Sequence, residues 1–335
     1  MTNKTLEITP QKPLGAVITL PSYTNDPSKL NDDDFAKLKS ALLTYSVLVI
    51  KNQQDLSPES QHALNVRFDP SSATNYGHKE ELFHSKKSIL AKDGRCVPRR
   101  PEVMMVGNGS FDEGHEGMKE FKLEHPMHKT FHKKLLTEEE LEAGQTRFYR
   151  WHIDAALYEL SPPVVTTLLG LVVPNSSERQ KIVYEDTGEE IDIAKGATAF
   201  ASGKIAFDLL SDEDKAFVLD TTVDSKVKIL PMVWTNPETG NHHLQVHGCC
   251  VYRLLDSKGN VVAELEDARK ICQRLMRPAI GPSNVYCHDW KEGDLCIFHN
   301  RGVIHSVTGE LDPNEKRLMH QCNIASGSDP ELVIR

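Results

Sequence analysis

Apolar positions fall in short runs along most of this chain, bounded by turn residues, and only a few stretches show helical spacing. "AVITL" (16–20) and "SVLVIKN" (46–52) are β-branched runs that predict strands. Between them, "LNDDDFAKLKSALLTY" (30–45) spaces its apolar residues by three and four after an Asn/Asp start, which predicts an amphipathic helix. "LSPESQHALNVRF" (56–68) predicts a second helix, with Ser57 as N-cap and Pro58 at its first position. Residues 70–100 are polar and interrupted and read as surface loop, and "PEVMMVGNGS" (101–110) reads as a strand with a turn. From "VVTTLLGLVVP" (164–174) onward strands dominate: "GATAFASG", "KVKILPMVW", "HHLQVHGCCVYRLL", "NVYCHDW", "GDLCIFHN", "GVIHSVTG" and "KRLMHQCNIAS". Two helices interrupt them, "GKIAFDLLSDEDKAFVL" (203–219) and "LEDARKICQRLM" (265–276). The pattern predicts a mainly β fold with flanking helices, a sandwich or jelly roll rather than a parallel α/β sheet.

The 335 residues suit one large domain or two ordinary ones. No apolar run is long enough to cross a bilayer, and the N-terminal twenty residues match no targeting pattern, so no membrane partner is expected. A net charge of −9 and a pI of about 5.9 argue against a nucleic-acid binder, which would show a basic face. Seven scattered cysteines without a CxxC pair read as free thiols in a reducing, cytoplasmic setting.

Candidate chemistry centres on "TRFYRWHIDAALYELSPP" (146–163). In a strand, His152 and Asp154 would share one face, because positions two apart point the same way. A distant partner is His305, at the end of an apolar strand, followed twelve residues on by Arg317. Two imidazoles and a carboxylate on neighbouring strands form the facial triad that binds non-haem Fe(II) with open positions. The same donors would also suit zinc in a hydrolase, and an HxD pair alone is common.

Taken in order, these segments resemble the taurine/2,4-D (TauD/TfdA) type of Fe(II)- and 2-oxoglutarate-dependent dioxygenases. "TYSVLVIKNQQDLSPESQHALNVRF", "WHID", "GATAFASGKIAFDLLS", "VWTNPETGNHHLQV" and "WKEGDLCIFHNRGVIHSV" resemble the family's successive motifs, with Phe298-His299-Asn300 where Trp-Asp-Asn is usual. The resemblance implies a double-stranded β-helix (jelly-roll, cupin-like) core. It implies His152, Asp154 and His305 as iron ligands, and Thr198 and Arg317 as the grip on the 2-oxoglutarate C5 carboxylate. Asn300 is expected to shape the loop before His305. With Fe(II), 2-oxoglutarate and O₂ as cofactor and co-substrates, the implied reaction oxidises a C–H bond and yields succinate and CO₂. The implied organisation is a single domain over 1–335. An N-terminal α/β portion (1–100) would pack on a jelly-roll core (101–335), and the short junction at 220–228, where relatives are longer, would be an active-site lid. Whether the chain forms a homo-oligomer is left open.

Sulfonate-cleaving members hold their substrate with an Arg four residues beyond the 2-oxoglutarate Arg, where this chain has Gln321. A neutral amide does not replace a guanidinium on a sulfonate. Gln321 and Asn323 alternate onto one strand face and offer donors and acceptors suited to a small polar heterocycle. Tyr158 and Met104 complete the expected substrate-binding set. The chain is most similar to the fungal xanthine dioxygenase branch, which turns xanthine into urate. Alternatives are ring closure (aziridine formation) or hydroxylation of a valine-type amino acid, and, in another class, a non-catalytic cupin-like binding protein.

Overall fold

The N-terminal helices form where the sequence predicts them, each opened by a side-chain cap. Asn31 accepts from the Asp34 amide ahead of helix Asp32–Tyr45, and Ser57 accepts from the Ser60 amide ahead of helix Pro58–Phe68, whose first residue is Pro58. The first helix ends at Ser46, whose left-handed φ of 65° turns the chain into strand Val47–Ile50. The structure is a computed structural model that describes residues 5–74, 94–125, 132, 134–155, 159–174 and 177–334. The expected loop between the second helix and residue 100 contains strand Gly94–Val97, and its residues 75–93 lie outside the described set.

The largest sheet runs in the order Glu7–Pro10, Ala16–Thr19, Val47–Ile50, Leu295–His299, Val165–Val172, Arg317–Asn323, Arg100–Phe111 and Gly94–Val97. Phe121–Leu123 pairs with the far part of Arg100–Phe111. Strands from both ends of the chain are therefore neighbours. Ile297 pairs with Leu48 on one side and with Thr167 on the other. Opposite this sheet stands a smaller one, Tyr286–His288, Thr198–Ser202 and Val303–Val307. The space between is filled by Leu168, Phe298 and Met319 from the large sheet and Phe200 and Val303 from the small one. Two facing layers, antiparallel apart from the parallel pair Ala16–Thr19 and Val47–Ile50, enclose one apolar core and make the expected jelly roll.

The helices cover the outer face of the large sheet. Leu38, Leu42 and Leu64 pack there on Leu48, Leu169 and Ile297. Helix Pro58–Phe68 is also pinned by polar groups: the Gln61 amide donates to the Thr167 and His320 carbonyls, and the Asn65 amide donates to the Cys322 carbonyl. Both amide side chains are buried, so the contacts fix the helix against the strand that carries Arg317 and Gln321.

Several expectations need correction. The segment 203–219 is two helices, Gly203–Asp208 and Asp212–Leu219, because Ser211 caps the second by accepting from the Asp214 amide. "HHLQVHGCCVYRLL" is likewise divided, into strands His242–Leu244 and Arg253–Asp256, with a turn at 248–250. The abrupt junction after residue 219 is a hairpin: Thr221–Asp224 pairs with Ile229–Pro231 and also with Arg253–Asp256. "PEVMMVGNGS" lies in one long strand, Arg100–Phe111. Its Gly107 lies so close to the Arg317 carbonyl that a Cβ would come within 1.8 Å of that oxygen, so only glycine lets the two strands meet there.

Candidate active site

His152 is held by a single bridge rather than a full strand. Its amide donates to the His305 carbonyl at 2.9 Å, and the His305 amide donates back at 2.8 Å. The two imidazoles therefore face one another across a bonded pair, with ring centroids 4.2 Å apart. Beyond Ile153 the chain leaves the extended form at once, into a turn at Asp154 and Ala155 with Ala155 at φ 55°. This corrects the expectation of a strand through the HxD pair. A side chain stands in for the missing strand partner. Asn300 Oδ1 accepts from the Asp154 amide at 2.9 Å, and its Nδ2 donates to the Asp154 and Pro163 carbonyls.

His152, Asp154 and His305 converge, their ligating atoms all within 4.8 Å of one another. A carboxylate oxygen of Asp154 lies 3.6 Å from His305 Nε2. Asp154 and His305 are buried and His152 is half-buried. Burial holds the His152 imidazole well below its ordinary range, helped by His305, Arg150 and His247. Burial also lowers His305, against a smaller opposing pull from Asp154. Both rings are therefore neutral at pH 7 with lone pairs to offer, and with the carboxylate they supply an N, N, O donor set. The carboxylate is oriented from two strands: Thr166 Oγ1 donates to one oxygen at 2.8 Å, and Gln321 Nε2 lies 3.1 and 3.2 Å from the two oxygens.

Arg317 starts the neighbouring strand, 3% exposed. Among the described residues it has no salt bridge, and its Nε has no hydrogen-bond partner. Burial lowers it to about 10, which still leaves it charged at pH 7. The left-handed turn at Gly196 packs against its stem, where a Cβ would stand 3.3 Å from Cδ and Nε. Two residues on, Thr198 Oγ1 accepts from the Trp290 indole at 3.0 Å. Its own hydrogen is thereby left to donate elsewhere. An anion is what a buried guanidinium without a carboxylate calls for, and the Thr198 hydroxyl is a donor two residues from the Gly196 turn that packs on it. His125, buried near Arg317, is kept neutral by burial and by that cation.

Asn323 follows Gln321 on the same strand face and is buried, and Met104 is buried in the adjoining strand, where it pairs with Gln321. Tyr158 lies outside the described residues. His247 is buried beside a small open cleft lined also by Ile153, Pro162, Val223, Trp234 and Gln245. Sequence reasoning missed Thr166 and the contact between Gln321 and Asp154. The signal for the first was a pair of threonines, 166 and 167, inside an otherwise apolar strand. Thr167 proves to serve the helix instead, donating to Asn65.

A family model described as "Taurine catabolism dioxygenase TauD, TfdA family" matches residues 7–323. Among curated relatives, alpha-ketoglutarate-dependent xanthine dioxygenase xanA of Emericella nidulans is 44% identical, over 93% of both chains. The xanthine dioxygenases xan-1 of Neurospora crassa and xan1 of Schizosaccharomyces pombe are 43% and 40% identical. Each covers 91% of this chain, and the matches span 82% and 84% of those relatives. Among solved structures, a taurine dioxygenase from Burkholderia xenovorans superposes with a TM-score of 0.61 at 18% identity, covering 97% of this chain and 92% of that one. AAD-2 in complex with Mn(II) and N-oxalylglycine gives 0.61 at 18%, covering 98% and 100%. These two likenesses carry the fold, while the family model and the closer relatives carry the kinship: the chain belongs to the TauD/TfdA family of dioxygenases.

Proposed function

We propose that this protein is an Fe(II)- and 2-oxoglutarate-dependent dioxygenase that converts xanthine to urate. The observation that carries the reading is the convergence of His152, Asp154 and His305 in a chain 44% identical to a named xanthine dioxygenase. In the balanced reaction, xanthine, 2-oxoglutarate and O₂ give urate, succinate and CO₂. Bound ferrous iron would supply the activation of O₂ that couples decarboxylation of the co-substrate to oxidation of a substrate C–H bond.

The chain's own residues divide the remaining work. His152, Asp154 and His305 would hold the metal on one side and leave the other open to exchangeable ligands. Thr166 and Gln321 fix which way the Asp154 carboxylate points, and Asn300 fixes the peptide that carries it. Arg317 and Thr198 would bind the C5 carboxylate of 2-oxoglutarate, an arrangement supported by the lack of any other anion for that guanidinium among the described residues. With its Nε2 on Asp154, Gln321 keeps Oε1 as an acceptor for a ring N–H of the heterocycle. Asn323 and Met104 flank it from the same and the neighbouring strand. We assign the hairpin around 220–228 the part of a cover, on the support that Val223 and Ser225 line a cleft shared with Ile153 and His247. All seven cysteines are free thiols, which supports the expectation of a reducing, cytoplasmic setting.

The test is a turnover screen under Fe(II) and 2-oxoglutarate, with xanthine, related purines and valine-type amino acids offered in parallel. Succinate released one for one with urate from xanthine is the expected result. Succinate coupled only to an amino acid would overturn the substrate, and none with any of them would overturn the reaction.

A further inference from the structure

The turn at 247–250, "HGCC", takes no part in the chemistry above, yet it gathers three good metal donors. His247 Nδ1 lies 3.3 Å from Cys249 Sγ, and Cys249 Sγ lies 3.6 Å from Cys250 Sγ. All three donor atoms fall within 4.8 Å of one another, and none belongs to the His152–Asp154–His305 group. A tetrahedral zinc-class ion, with bonds of ~2.3 Å to sulfur and ~2.0 Å to nitrogen, spaces two sulfurs by about 3.8 Å and a sulfur and a nitrogen by about 3.5 Å. The two separations through Cys249 differ from those edges by only tenths of an ångström, and the His247–Cys250 pair lies within 4.8 Å. Side-chain rotation closes such gaps without moving the backbone.

Exposure completes the case. His247 is buried, Cys250 half-buried and Cys249 exposed, so an ion can arrive from solvent and keep a water as its fourth ligand. The backbone allows the two neighbouring thiols to point the same way because Gly248–Cys250 forms a turn, stapled outside by the Arg269 guanidinium donating to the Gly248 carbonyl at 3.0 Å. The thiol of Cys249 also donates to the Trp151 carbonyl at 3.5 Å, which ties this turn to the residue preceding His152.

We propose that His247, Cys249 and Cys250 form a second metal site that takes a thiophilic, zinc-class divalent ion. Binding replaces the two S–H protons, which are released to solvent, with two metal–sulfur bonds, and no oxidant or reductant is involved. The ion displaces the S–H proton that Cys249 shares with the Trp151 carbonyl, replaces that bond as the tie within the turn, and holds His247 in place at the cleft.

Cobalt(II) is the probe, because a thiolate ligand gives it a near-ultraviolet charge-transfer band that a site built only of imidazole and carboxylate does not. The reduced full-length protein, titrated without oxygen, is expected to develop that band, complete by two equivalents, and with one equivalent once the other site is broken. The band should persist in His152→Ala, where the other site is broken, weaken in Cys249→Ser and in Cys250→Ser, and vanish in the double variant. His247→Ala should shift the band and weaken cobalt binding at least tenfold. No charge-transfer band in the wild-type protein, or a band undiminished in the double serine variant, would overturn the proposal. Both serine changes fall in a partly exposed turn, and circular dichroism confirms that the double variant is folded. Loss of xanthine turnover alone would leave the cobalt result unmoved, so the two readings fail separately.

Discussion

Gln321 Nε2 bridges the two carboxylate oxygens of Asp154, at 3.1 and 3.2 Å, from a strand 167 residues further along the chain. A donor placed there orients the carboxylate and disperses part of its charge before any ion arrives. Partners of this kind are worth about 10–100-fold in metal affinity or activity. Gln321→Leu is therefore expected to raise the Fe(II) concentration needed for half-maximal turnover by about that factor, with the 2-oxoglutarate KM little changed. Gln321→Glu is expected to do worse, since it sets a second carboxylate against the first. Activity titrated against Fe(II) at saturating co-substrates is the measurement.

Arg317 combines a functional need with a folding cost. Among the described residues Arg317 has no carboxylate partner and its buried Nε is unpaired, so its removal is expected to raise the stability of the ligand-free protein by roughly 1–3 kcal/mol. Arg317→Met should thus raise the urea midpoint while raising the 2-oxoglutarate KM at least 100-fold, the scale of about 2–5 kcal/mol expected for loss of a charge partner. Added 2-oxoglutarate should stabilise the wild-type protein against heat and leave Arg317→Met unaffected. A variant less stable than wild type with unchanged KM would show that the guanidinium has a structural task instead.

Asn300 makes three hydrogen bonds to backbone, two of them to the Asp154 peptide. Asn300→Ala leaves a buried amide and two carbonyls without partners. It is expected to cost about 2–4 kcal/mol of stability and to weaken metal binding, because the turn at Asp154 and Ala155 loses its anchor. Asn300→Asp keeps the acceptor for the Asp154 amide but loses both donors, so it should recover little. Denaturant unfolding with and without Fe(II) separates the two effects.

The convergence of His152, Asp154 and His305 was legible in the sequence because HxD and a distant His on neighbouring strands predict it, while the roles expected for them and for Arg317 rest on the family resemblance. The helix starts were legible too, since Asn31 and Ser57 act on amides three residues away. What depends on which strands become neighbours was not. Thr166 and Gln321 meet at Asp154 only because Val165–Val172 and Arg317–Asn323 pair in the register that sets Asn323 against Thr166. The strand expected through Asp154 failed similarly, since the side chain of Asn300, 146 residues away, takes the place of a strand partner. The family resemblance supplied the fold, but it did not reveal that Gln321 touches the Asp154 carboxylate.

Stability should fall in mild acid. Burial holds His243 at about 4 and, with help from His115, His320 at about 3, whereas an unfolded chain takes up these protons near 6.5. Below pH 6.5 the unfolded state binds more protons than the folded one, so stability is full above that pH and declines as pH drops towards 4. Each group contributes up to about 1.4 kcal/mol per pH unit. Urea midpoints at pH 7, 6 and 5 should decrease in turn, and His243→Gln should decline less steeply. Midpoints that do not change with pH would contradict this account.

Anaerobic visible absorption reads the metal and the 2-oxoglutarate together. Fe(II) added with 2-oxoglutarate should produce a metal-to-ligand charge-transfer band that needs both components, saturates at one iron per chain, and shifts when xanthine is added. His152→Ala, Asp154→Ala and His305→Ala should each abolish the band, and Arg317→Met should require far more 2-oxoglutarate to form it. A band that survives loss of any of the three ligands, or that never forms in the wild-type protein, would contradict the site described here.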